Sequence, residues 1–216
     1  MLKDYTKSCR PILISSEDSD MGSRIGGNPP EGIRPKEIFD CTRYFATLVI
    51  DESTGREISI FNSFERDVIS DRSFHYSGRS FLREKNKIFE ANQSSLIQFV
   101  VHEKSKRALG CVAIASELTP KSLVLKPELP DAEGWLDSEI YQGSKMGGWP
   151  YYWQNKKSIT DQGNALLKKG FVHLFQFAFP DHRDALISGD WPYGPYIMHV
   201  FVDDPKDPQD IRVGWG

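Results

Sequence analysis

The chain has 216 residues, 39% of them hydrophobic and 12% aromatic, which is enough to bury a substantial core without disulfide or metal staples. Thirty acids against 27 bases leave a net charge of -3, a balance that excludes a general nucleic-acid or membrane-surface binder. The amino-terminal Met-Leu-Lys-Asp-Tyr-Thr-Lys lacks the apolar centre of a signal peptide, no apolar run approaches the ~18 residues of a membrane span, and Cys9, Cys41 and Cys111 form no ligand or disulfide framework. Together these predict a cytoplasmic protein with reduced thiols.

In chain order, Arg10 to Ile14 reads as a short extended segment, followed by an acidic, Ser-rich loop over 15–22. Ser23-Arg-Ile-Gly-Gly-Asn-Pro29 comes next and leads into the turn chemistry of Pro29, Pro30 and Gly32. Tyr44 to Ile50 is β-branched and aromatic, with Glu57 to Phe61 returning after the Ser53-Thr54-Gly55 turn, so a hairpin is predicted. Residues 62–79 show no period. Phe81, Leu82, Lys85, Ile88 and Phe89 fall at near-helical spacing behind Ser80, which predicts a short helix over 80–91. Leu96 to Val101 and Leu109 to Ala115, separated by the basic turn Lys104 to Arg107, read as a second hairpin.

Pro120, Pro127 and Pro130 mark the crossing into a second half, which carries Ser144-Lys-Met-Gly-Gly-Trp-Pro150. A helix over 160–169 is predicted to stop at Gly170, and strands follow at 171–179 and 196–202. The pattern Ser, base, Ile or Met, Gly-Gly, any residue, Pro therefore occurs twice, each time ahead of an aromatic-rich strand. The expected fold is α+β: one compact domain of two similar halves, about 1–119 and 120–216, with predominantly antiparallel sheets and few short helices. The later strands 96–101 and 197–202 are read as counterparts.

The two Gly-Gly motifs, with Leu174-Phe-Gln-Phe177, Gln154 and Gly189-Asp-Trp191, resemble the YwqG-like family of uncharacterised bacterial proteins. That resemblance implies a duplicated fold, and it implies a binding role of the kind that immunity and toxin-neighbour proteins fill.

Candidate chemistry is sparse. Neither Gly-Gly loop has the Lys-Ser/Thr pair and following helix of a phosphate loop, so positive φ or close backbone approach is the expected reason for the glycines. His75, His102, His173, His182 and His199 show no metal spacing; His173 and His199 would approach each other if their strands paired, on a partly exposed sheet face. Ser77-Gly-Arg-Ser80 is no nucleophile elbow, and Asp203 to Asp210 lacks the Gly and closing Glu of a calcium loop. No catalytic residue, metal or cofactor is expected.

Seven aspartates stand against Arg183, Lys206 and Arg212 from residue 181 onward, which makes this the acidic region. The expected function is a non-enzymatic protein-binding module, a bacterial immunity protein that occludes a basic, nuclease-like toxin without contacting nucleic acid or membrane. Trp149, Tyr151, Tyr152, Trp153, Trp191 and Tyr193 would anchor the partner, and Asp181, Asp184, Asp190, Asp203 and Asp204 would steer it. The alternative is a small-molecule-binding or enzymatic domain with a pocket between the halves, lined by Trp149 and Tyr151.

Overall fold

The structure is a computed structural model that describes residues 7–38, 42–63, 79–83, 86–90, 97–110, 112–116, 118–131, 140–152, 157–178 and 197–215. Its strands are β1 (Ser8–Ile14), β2 (Arg24–Ile25), β3 (Thr42–Asp51), β4 (Arg56–Ser63), β5 (Arg79–Arg83), β6 (Asn86–Glu90), β7 (Ile97–Glu103), β8 (Lys121–Leu125), β9 (Leu129–Pro130), β10 (Lys145–Gly147), β11 (Val172–Phe177), β12 (Met198–Val202) and β13 (Ile211–Trp215). Among the described residues one α-helix, α1 (Lys157–Lys168), lies between β10 and β11 in the chain. It ends where expected: Gly170 takes φ +94, and the Phe171 amide returns to Leu166 O at 3.1 Å.

The expected α+β class is overturned. Of the described residues 46% are strand and 9% helix, and the antiparallel sheet curls into a nearly closed barrel. The helix expected over 80–91 is instead the β5–β6 hairpin, paired from Arg79 opposite Glu90 to Arg83 opposite Asn86. Its apolar residues satisfy a helical spacing by coincidence; what decides is β7, whose Val100 and Phe99 lie opposite Ile88 and Phe89 and bury both fully. The second predicted hairpin also fails, because β7 pairs with β4 and β6, while the described residues from Ala108 to Ser116 form no strand. Among the described residues no helix is long and apolar enough to cross a membrane.

The sheet order is β13-β12-β11-β10-β1-β8-β2-β3-β4-β7-β6-β5. Two strand sets repeat within it: β2-β3-β4-β7 on one side and β10-β11-β12-β13 on the other. Arg24 and Ile25 face Thr47 and Ala46, as Lys145 and Met146 face Gln176 and Phe175. Thr47 faces Ser59 as Gln176 faces His199, and both copies slip register at the same place, between Tyr44 and Ala46 and between His173 and Phe175. The counterpart of β12 is thus β4, not the 96–101 strand expected from sequence.

The leading strands are exchanged. β1 precedes the first motif in sequence but pairs with β10, with Pro11 opposite Lys145; β8 precedes the second motif but pairs with β2, with Ser122 opposite Arg24. The two meet at the centre, Leu13 opposite Val124, flanked by Ile12–Leu125 and Ile14–Leu123. Hydrogen bonds repeat about this local two-fold axis: Ile12 N to Ser144 O and Leu123 N to Ser23 O are both 2.8 Å, and Ser15 N to Ser122 O and Lys126 N to Pro11 O are both 2.9 Å. Neither repeat completes its sheet without a strand from the other.

The core is shared as well. Ile12, Ile25, Phe45, Phe99, Leu123, Phe175, Phe177 and Val200 form one buried cluster, and the Phe45 and Phe177 rings meet edge-on at 5.3 Å across the seam. The repeats are also clasped by Asp207, which pairs with Arg56 and, at 3.3 Å, with Lys87.

Ser23 Oγ and Ser144 Oγ each accept a backbone amide across the motif, from Val49 and Ala178, both at 3.0 Å. Ser23→Ala and Ser144→Ala are each expected to cost about 1–3 kcal/mol, the usual penalty for a part-buried donor left without its partner. Urea unfolding of both variants checks this; a loss confined to one of them would contradict their structural equivalence.

Candidate functional site

The base that follows each motif serine is buried. Arg24 and Lys145 are both at 0% exposure, an unusual fate for a charged side chain. Lys145 Nζ donates to Asp131 Oδ2 and to Trp149 O, both at 2.6 Å. Asp131, also buried, accepts the backbone amides of Trp149 at 2.8 Å and Tyr141 at 3.1 Å. Burial depresses the Lys145 pKa, and the hydrogen bond and charge of Asp131 oppose that shift. Gly147 and Gly148 take φ of 69 and 74, and a Cβ on Gly148 would overlap the Asp131 carboxylate and Cys9. The glycines therefore serve both positive φ and close approach, as expected from sequence.

The remainder of this loop is held the same way. Gln176 Oε1 accepts the Tyr151 amide at 3.1 Å, its Nε2 donates to Gly143 O at 2.8 Å, and His173 Nδ1 donates to Gly148 O at 3.2 Å. Tyr151 and Tyr152 are buried, each at 7% exposure, and the Tyr152 ring lies tilted against His199 with centroids 4.9 Å apart. The two tyrosines thus lie inside, whereas Trp149 is only half-buried. Trp153, Trp191, Tyr193, Asp181, Asp184 and Asp190 lie outside the described residues.

The His173 and His199 rings do approach, at 5.6 Å. Both are at 0% exposure, however, so the partly exposed face expected for them is corrected. Burial pushes the His173 pKa down to about 3 and His199 well below its ordinary value, and Lys145 adds to both shifts.

In the first repeat, Arg24 donates to Gly22 O at 2.7 Å and Ser105 O at 3.2 Å, with Glu57 at 3.9 Å. Beside it runs a chain of neutral groups: Tyr44 to Thr47 at 2.8 Å, Thr47 to Ser59 at 2.7 Å, and Ser59 to His102 Nε2 at 2.8 Å. His102 Nδ1 lies 2.8 Å from Glu103 O, which assigns the proton to Nδ1 and makes Nε2 the acceptor. Ser59, His102 and Glu57 superficially match a nucleophile, base and acid. Ser59 and Glu57 are at 0% exposure, His102 at 5%, and Nδ1 turns to the backbone rather than to Glu57, 3.9 Å away. A hydroxyl sealed inside the sheet has no path to a substrate, so the set is structural.

The acidic turn between β12 and β13 is likewise committed to the fold. Asp203 Oδ1 accepts the amides of Asp204, Gln209 and Asp210, and Asp204 Oδ1 accepts that of Lys206. Asp204 itself remains exposed. Cys9 is buried beside Asp131, and burial lifts its thiol to about 11, which removes thiolate chemistry at neutral pH. Among the described residues no group of three or more His, Cys, Asp or Glu could hold a metal.

Among the described residues an accessible concavity lies at the seam. A groove of about 400 Å³ is floored by Val49, Ile50, Leu125, Met146 and Leu174, with Cys9, Arg10, Glu52, Glu128 and Pro205 around it. It is continuous with a second section of about 510 Å³ that reaches Ser23, Gly55, Lys104 and Leu123. Residues of both repeats build it. Sequence reasoning placed a pocket between the halves but chose Trp149 and Tyr151 as its lining, and neither lines the groove. The missed residues come from strand ends whose proximity depends on the β1/β8 exchange. Comparison with protein-family models, curated proteins and solved structures gave no match.

Asp131→Asn leaves Lys145 as a buried charge without a counterion and is expected to cost about 3–5 kcal/mol in chemical unfolding. A loss below 1 kcal/mol would contradict the pinning role. The buried histidines set the acid limb: their folded pKa values, about 4 for His102 and about 3 for His173, lie below the ordinary 6.5. Their contribution is therefore complete above about pH 6.5 and falls by up to about 1.4 kcal/mol per pH unit for each histidine as pH drops toward the folded values. His173→Phe should flatten this limb in urea unfolding measured between pH 7.5 and 5, whereas stability independent of pH over that range would refute it.

Proposed function

We propose that the protein is a non-enzymatic binding module whose ligand occupies the seam between the repeats. The observation that carries this reading is the groove itself: apolar-floored, open to solvent, and built from β1, β3, β8, β10 and β11 together. The polar clusters with chemical potential are sealed inside and spent on backbone groups, which supports binding over reaction.

Leu125→Trp fills the groove from a partly buried position. In a thermal-shift survey of small molecules and short peptides, seam ligands should raise the melting temperature of the wild type and leave Leu125→Trp unmoved. Ligands that stabilise both proteins equally would overturn the assignment.

A second reading, neutralisation of a basic toxin by direct contact, is supported by half-exposed Trp149 and exposed Asp204, which both remain at the surface. It predicts that Trp149→Ala with Asp204→Lys weakens binding to the product of the adjacent gene at least tenfold while Leu125→Trp does not. Unchanged affinity in the double variant would reject it.

A further inference from the structure

The charges along the seam groove are sorted. Asp51 and Glu128 line only the first section, and Lys104 lines only the second. Arg10 and Glu52 line both and pair with each other at 3.4 Å, so they cancel at the junction. The groove is thus negative at one end, neutral in the middle and positive at the other end, over a floor of Val49, Leu125 and Met146 with Leu123 beyond.

Asp51 is ionised at neutral pH. Hydrogen bonds from Ser53 and Thr54 hold the Asp51 carboxyl down at about 2. Beside it in the same section, Glu128 accepts from Ser8 Oγ and is exposed. At the other end Lys104 is exposed. A fixed dipole along an apolar trough selects a molecule with opposite charges at its two ends and an apolar body, since like-charge placement is costly and an uncharged end leaves the groove charge without a partner.

We propose that the seam groove binds a short apolar peptide with both termini free, its ammonium toward Asp51 and Glu128, its side chains on the Val49–Leu125–Met146 floor, and its carboxylate toward Lys104. This rests on the seam-binding reading and adds the ligand class and its direction. The peptide lies in the groove in one orientation because the dipole fixes it, and the exposed charges at both ends speed its capture.

The test is isothermal titration of the full-length protein with trileucine, N-acetyl-trileucine and trileucine amide, for the wild type, Lys104→Gln, Glu128→Gln and Leu125→Trp. All three substituted positions are at or near the surface, and none belongs to the buried clusters that hold the fold. Trileucine should bind the wild type, with acetylation and amidation each weakening it about tenfold or more. Lys104→Gln should abolish the preference for the free carboxylate and keep that for the free amine; Glu128→Gln should do the reverse; Leu125→Trp should abolish binding.

Equal affinity for free and blocked peptides, or loss of both preferences in either single-charge variant, would overturn the proposal. Absence of trileucine binding would overturn it too. If another compound still stabilises the wild type and not Leu125→Trp in the thermal survey, the seam remains the binding site and only the ligand class falls.

Discussion

The structure depends on placing one positive charge inside each repeat. Arg24 and Lys145 occupy the same position of the repeated motif, directly after the serine and opposite Thr47 and Gln176. A buried cation is costly unless each of its donors finds an acceptor, so it draws surrounding segments into fixed positions. Lys145 draws Asp131 and the Trp149 carbonyl, and through Asp131 the amides of Trp149 and Tyr141. Arg24 draws the Gly22 and Ser105 carbonyls. In both cases loops that would otherwise lie loosely over the sheet become its cover.

Once those loops are fixed, strand exchange follows as a geometric matter. The short strands β2 and β10 need a partner on their free side, and each finds the leading strand of the other repeat. The central β1–β8 pair is then held by both repeats, and Asp207 clasps them a second time. What remains open between these two closures is the seam groove. Its floor is the outer margin of the common core, where Ile50, Leu125 and Met146 are only partly buried. The groove is thus a by-product of how two repeats share one sheet.

Some of this was legible in the sequence. The β3–β4 hairpin, the α1 stop at Gly170 and the need for glycine at Gly26 and Gly147 each rest on local chemistry, and each stands in the structure. Ile88 and Phe89 were misread because near-helical spacing and strand pairing cannot be separated without knowing that β7 lies alongside. The counterpart of β12 was misassigned for the same reason, since pairing with β11 and not strand composition identifies it. One usable signal was overlooked: a base recurs at the same motif position in both copies, beside Ile25 and Met146, where a solvated side chain would have no reason to recur. Asp131 gave no such signal, because its partnership with Lys145 spans a stretch of chain with no common period. The groove charges could not be sorted at all from sequence, as Arg10, Glu52, Lys104 and Glu128 come from separate stretches of chain that meet only in the folded sheet.

Methyl-resolved NMR of the intact protein during titration with trileucine is the most direct measurement of the central claim. Ligand at the seam predicts shifts concentrated in the methyls of Val49, Ile50, Leu125, Met146 and Leu174, which come from both repeats at once, with little change at Ile88 or Val100. Shifts confined to residues of a single repeat, or centred on the Trp149 loop with the seam methyls unmoved, would contradict it.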